Sequence, residues 1–136
     1  MRVLIDLNVI LDVLLDRAPH AEMSARVLAL IETGRVEGCF CAASFATLDY
    51  LLAKAFDTPT RKRHLHTVRR LLAVAAVDAQ VIDAAMNMGW DDFEDAIVHE
   101  SARLAGAVAI VTRYPRDYSS ATLRVYTPSE FCAAVG

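Results

Sequence analysis

Apolar residues along the chain follow two different spacings. Arg2 to Ile5 is a short β-branched and aliphatic run ending at Asp6, whereas from Val9 to Asp16 the apolar positions 10, 11, 14 and 15 recur at helical intervals. This predicts a strand, a turn and a helix, with Asn8 as N-cap. Pro19 opens a second helix whose apolar residues at 23, 27, 28, 30 and 31 continue to Gly34. Val36 to Ala43 reads as another strand, and Ser44 as the N-cap of a helix carrying Leu48, Leu51, Leu52 and Ala55. Beyond Thr58 and Pro59, a helix places Leu65, Val68, Leu71 and Leu72 on one face and cations on the other. Val74 to Val77 predicts a short strand, Ala79 to Met88 a helix ended by Gly89, and Asp92 to Ala105 a helix stopped by Gly106. Val108 to Val111 and Leu123 to Tyr126 complete the strands, and a last helix starts at Ser129 after Pro128.

Strands separated by helices predict an α/β fold. Right-handed crossovers would put helices on both faces of a parallel sheet of four to five short strands. With no repeat or linker to divide it, the whole of residues 1–136 is expected to form a single domain.

Composition narrows the class. Hydrophobic residues are 55% of the chain and charged residues 23%, against only 5 Gly and 4 Pro, which excludes disordered and low-complexity classes. The longest uncharged run, Gly38 to Leu48, is 11 residues, and a bilayer span needs about 20. No membrane partner is expected. Asp6 and Asp12 interrupt what would have to be the apolar core of a signal peptide, so a cytoplasmic location is expected. Cys39, Cys41 and Cys132 then read as reduced core residues.

In open parallel sheets the functional crevice lies beyond the carboxyl ends of the strands, and the residues there are acidic. Asp6 ends the first strand, Asp49 lies in the helix after the second, Asp95 is in the first turn of the helix before the Val108 strand, and Asp117 follows that strand. Taken singly, an Asp at a helix start is explained by capping, as for Asp92. Gathered at one edge, carboxylates repel one another unless a cation sits among them, and oxygen-only ligation selects Mg²⁺ or Mn²⁺. Such an ion activates water for phosphodiester hydrolysis without a protein nucleophile. Ser101 has no recognisable elbow or paired base, and His99, one turn after Asp95, reads as a packed histidine.

The opening VLIDLNVILD, the SFATLDYLL segment, the DFEDAIVHESA helix and the IVTRYPRDY strand end resemble the PIN-domain ribonucleases, and especially the small VapC-type toxins. Order and spacing agree over nearly the whole chain. The resemblance implies a three-layer PIN-like fold and a metal-dependent ribonuclease in which Asp6, Asp49, Asp95 and Asp117 are the four metal-binding acids and Asp92 is an accessory acid. Asn8, Ser44 and Thr112 match positions that support the acids by hydrogen bonding. Two positions depart from the family pattern. Asp49 stands where the family usually has the longer Glu, and Tyr114 where a polar or acidic residue often follows the Thr-Arg pair. The resemblance also implies a homodimer and a cognate antitoxin that covers the acidic crevice.

The net charge of -3 conceals an uneven distribution. Residues 61–70 hold Arg61, Lys62, Arg63, Arg69 and Arg70 with no acid among them, and Arg113 and Arg116 flank the proposed site. These seven are candidate contacts for an RNA backbone; a solvated helix face or a surface for an acidic partner is the competing explanation. Two other functions remain open on sequence alone. One is a flavodoxin-like phosphatase or phosphotransferase with Asp6 as nucleophile, and the other is a catalytically inactive interaction module whose acids bind metal or cap helices.

Overall fold

The computed structural model describes residues 1–136. Its elements run β1 (Arg2–Ile5), α1 (Leu7–Leu14), α2 (Ala21–Glu32), β2 (Glu37–Cys41), α3 (Ala42–Leu52), α4 (Thr58–Leu71), β3 (Ala73–Ala75), α5 (Ala79–Met86), α6 (Phe93–Leu104), β4 (Ala109–Val111), a 3-10 turn (Pro115–Tyr118), β5 (Arg124–Tyr126) and α7 (Pro128–Val135). The five strands form one sheet in the order β3-β2-β1-β4-β5, and every pairing is parallel.

Both faces of the sheet are covered, and the strand residues show it. Val3 and Ile5 point into a cluster with Val9, Ile10, Phe40, Leu48 and Phe131, drawn from α1, β2, α3 and α7. Leu4, between them, points the other way, into a second cluster with Cys39, Cys41, Val98, Ile110 and Tyr118. The alternation is the two-residue period of a strand, here apolar on both sides because helices lie above and below. Full burial of each Leu, Ile or Phe contributes about 2–3 kcal/mol relative to an exposed side chain. Gly38 in β2 permits the close approach of α2 and the end of α4: a Cβ there would lie 2.6 Å from both Ile31 Cδ1 and Leu72 Cδ2.

Two predicted caps differ from those observed. Asp6, in extended conformation, caps α1 by accepting from Leu7 N–H, which leaves Asn8 inside the helix. At α3 the strand runs directly into the helix, so Cys41 occupies the cap position without a side-chain hydrogen bond and Ser44 lies buried in the first turn. No helix is long and apolar enough to cross a membrane.

Candidate active site

Sheet order decides where a site can form. From β1 the chain builds outward through β2 to β3, then returns to lay β4 against the other side of β1, so the topological switch falls between β1 and β4. Asp6 follows β1 and Thr112 follows β4 at that point, and Asp6 N–H donates to Val111 O at 3.0 Å.

The Asp6 carboxylate is tightly held. Oδ1 accepts from Leu7 N–H at 2.9 Å; Oδ2 accepts from Thr112 Oγ1 at 2.9 Å, Asn8 Nδ2 at 3.2 Å and Tyr118 Oη at 3.2 Å. Thr112 Oγ1 in turn accepts from Asn8 Nδ2 and from Tyr114 N–H, while Asn8 Oδ1 accepts from Arg113 N–H at 2.9 Å. Asn8 therefore fastens the end of β4 to the start of α1. Burial raises the Asp6 carboxyl above the usual carboxylate range, although the donors from Thr112, Leu7, Tyr118 and Asn8 all pull it down.

Asp95 enters from α6. Asp92 caps that helix by accepting from Asp95 N–H at 3.1 Å, which fixes the turn carrying the Asp95 side chain. Burial pushes the Asp95 carboxyl up to about 7, and the charges of Asp92, Asp6 and Asp117 add to the effect. Asp117 sits exposed on the 3-10 turn. A cleft of about 340 Å³ is lined by Trp90, Asp91, Asp92, Asp95, Arg116 and Asp117 among others, with Arg116 its only cation.

Oxygen donors and uncompensated negative charge suit a hard divalent cation. No three His, Cys, Asp or Glu side chains stand close enough to enclose an ion. The arrangement fits an ion held by one or two carboxylates and otherwise by water, the mode Mg²⁺ prefers.

Other candidate residues lie elsewhere or are already engaged. Asp49, half-exposed on α3, pairs with Arg61 of α4 at 2.9 Å and is not among the carboxylates acting on Asp95. Ser44 is buried outside the Asp6 network. Arg113 turns inward: its Nε lies 2.6 Å from Oδ2 of Asp12, which is fully buried and also faces Arg17 at 3.5 Å and Ser24 Oγ at 3.3 Å. Arg69 donates to Leu72 O, Arg63 to Thr60 Oγ1 and Arg70 to Thr67 Oγ1. Lys62, Arg63, Arg69, Arg70 and Arg116 remain exposed.

Sequence reasoning missed two groups. Tyr118 carries no periodic signal and belongs to the core, yet its hydroxyl reaches Asp6. Asp12 falls among the apolar positions of α1, and an acid on a buried helix face was the clue to an internal ion pair. His99 is buried away from the cleft. Its Nε2 accepts from Thr122 N–H at 3.2 Å, so Nδ1 carries the proton and donates to Glu100 Oε2 at 2.7 Å. Glu100 is also held by Arg103, and these contacts outweigh burial to keep its carboxyl below the usual range.

A family model described as PIN domain matches residues 2–114, a span that includes Asp6, Asp49, Asp92, Asp95 and Thr112 and stops short of Asp117. No curated protein matches the sequence. Among solved structures, the chain is similar to one from the VapBC2 complex of Rickettsia felis bound to a DNA fragment from their promoter. The identity is 13% and the TM-score 0.73, over 93% of this chain and 98% of that one. It is likewise similar to a chain of FitAcB from Neisseria gonorrhoeae, at 21% identity and a TM-score of 0.65, over 93% and 98%. A third similar structure is a toxin-antitoxin complex from Klebsiella pneumoniae, at 15% identity and a TM-score of 0.70, over 93% and 97%. At these identities the likeness is one of fold.

Proposed function

Because the chain belongs to the PIN-domain family, we propose that it is a Mg²⁺- or Mn²⁺-dependent ribonuclease, the toxin of a toxin-antitoxin pair, acting in the cytoplasm as a homodimer. The observation that carries this is the acidic cleft lined by Asp91, Asp92, Asp95 and Asp117, next to the switch between β1 and β4 where Thr112 and Tyr118 hold Asp6. One or two of Asp6, Asp95 and Asp117 hold the cation, which otherwise keeps its water, and Asp49 acts from the periphery, tied to Arg61. A bound divalent ion supplies an activated water and stabilises charge on the phosphorus.

The chain's own side chains do the positioning. Thr112 and Asn8 fix Asp6, and Asp92 fixes the turn that presents Asp95. Arg116, on the cleft wall, takes a phosphate oxygen next to the acids. The exposed cations of α4, Lys62, Arg63, Arg69 and Arg70, engage the flanking backbone. The antitoxin is supported by the similarity to chains of toxin-antitoxin complexes.

The test is to incubate purified protein with mixed cellular RNA and Mg²⁺ or Mn²⁺, with and without chelator, and to map the cut ends. Chelator-sensitive cleavage that is lost in Asp95→Asn is expected. Cleavage indifferent to chelator, or none with a correctly folded protein freed of any partner, overturns the assignment.

A further inference from the structure

We propose that Tyr118 is a positioning residue for the Asp6 carboxylate, its buried hydroxyl completing a set of three donors on Oδ2 that leaves the remaining acceptor capacity on Oδ1. The inference rests on the acids being a cation site. Tyr118 is 2% exposed and its ring packs edge-on against Trp90, with centroids 6.1 Å apart. Trp90 also packs against His99, 5.2 Å away, and His99 accepts from the backbone of Thr122 and Leu123 just after the 3-10 turn. The Tyr118 ring is thus packed against Trp90 and the chain after the turn is held by His99, and this packing delivers the hydroxyl to Asp6.

The donor count gives this placement its meaning. Oδ2 accepts from Asn8, Thr112 and Tyr118, more than its lone pairs accommodate comfortably, whereas Oδ1 accepts only the α1 capping bond from Leu7 N–H. A carboxylate so loaded cannot swing its two oxygens past each other. The oxygen with room for a cation is defined before the cation arrives, and less ordering is left for the binding step.

Tyr118→Phe deletes the hydroxyl and keeps the ring against Trp90. Isothermal titration with Mn²⁺ should show affinity about tenfold weaker in the Phe variant, because the carboxylate must then be ordered on binding, and the chelator-treated protein should melt a few degrees lower, having lost a hydrogen bond to a charged group. Wild-type protein should also show a tyrosine difference spectrum in the near ultraviolet on adding Mg²⁺, and the Phe variant should lack it. That second measurement decides the matter if the Phe variant folds poorly. Mn²⁺ affinity equal in the two proteins, no Mn²⁺ binding by wild type, or a Mg²⁺-insensitive tyrosine spectrum overturns the inference. Binding is read without RNA, so a protein that cuts no RNA but loses Mn²⁺ affinity in the Phe variant keeps Tyr118 in this role while the ribonuclease assignment fails.

Discussion

Asp95→Asn removes one negative charge from the cleft with almost no change of shape, and the backbone N–H that donates to Asp92 is retained. In the absence of metal this should stabilise the protein. The Asp95 carboxyl is pushed up to about 7 from an ordinary 3.8, a gap worth at most about 4 kcal/mol. The group is partly solvent-exposed, so screening reduces that to about 1–2 kcal/mol. The sign follows from proton binding. Folded Asp95 holds its proton more tightly than the unfolded chain does, so the cost is absent below about pH 4, grows as pH rises toward 7 and is complete above it. Chelator-treated wild type should therefore lose stability between pH 5 and pH 8, and the Asn variant should lack that component. At pH 8 the variant should melt about 3–8 °C higher, an interval that follows from the enthalpy of a chain this size. Thermal unfolding followed by circular dichroism at both pH values, with and without Mg²⁺, is the assay. Saturating Mg²⁺ should reverse the order, because the cation binds the folded wild type preferentially. RNA cleavage by the variant should fall by at least about a hundredfold. An Asn variant that is no more stable than wild type at pH 8 without metal, or one with the same pH dependence, would refute the picture of Asp95 as a strained acid among acids.

Asp6→Asn should behave differently: it too loses cleavage, but its amide places an N–H among the Asp6 donors, so the metal-free protein should lose about 1–3 kcal/mol in urea unfolding. Asp49→Glu should cleave RNA at or above the wild-type rate if reach limits this acid, and Asp49→Asn should retain more activity than Asp95→Asn because Asp49 faces Arg61. Asp12→Ala leaves Arg113 and Arg17 facing a buried hole and should cost about 3–5 kcal/mol by the same unfolding measurement. Changing Lys62, Arg63, Arg69 and Arg70 together to Gln should weaken RNA binding and flatten its salt dependence, measured by fluorescence anisotropy, with the melting temperature nearly unchanged.

Local patterns made the fold legible. Aliphatic runs and helical spacing located the strands and helices, and strand-helix alternation led to a parallel sheet whose carboxyl edge is where acids matter. Asp6 and Asp95 could be singled out because each sits next to a regular element. What was not legible depends on contacts across long stretches of chain. Arg113 looked like a free cation beside the site and Arg61 like one on a basic helix face, yet they point at carboxylates, Asp12 and Asp49, that sequence alone does not pair with them. The caps of α1 and α3 failed for a related reason. Asn8 and Ser44 are good capping residues in isolation, but β1 and β2 end so close to their helices that the chain turns earlier, two residues before Asn8 at Asp6 and three before Ser44 at Cys41.

The return of β4 to the side of β1 has a consequence for assembly in time. Asp6 and Asn8 leave the ribosome well before Asp95, Thr112 and Tyr118, which lie some ninety or more residues later in the chain. Strand β2 can pair with β1, and β3 with β2, burying much of an apolar cluster while the other edge of β1 is still open. Only docking of β4 brings Thr112 to Asp6 and carries the 3-10 turn with it. The acidic cleft is therefore a product of the longest-range strand pairing in the sheet, and a growing chain has no assembled centre until β4 has folded back onto β1.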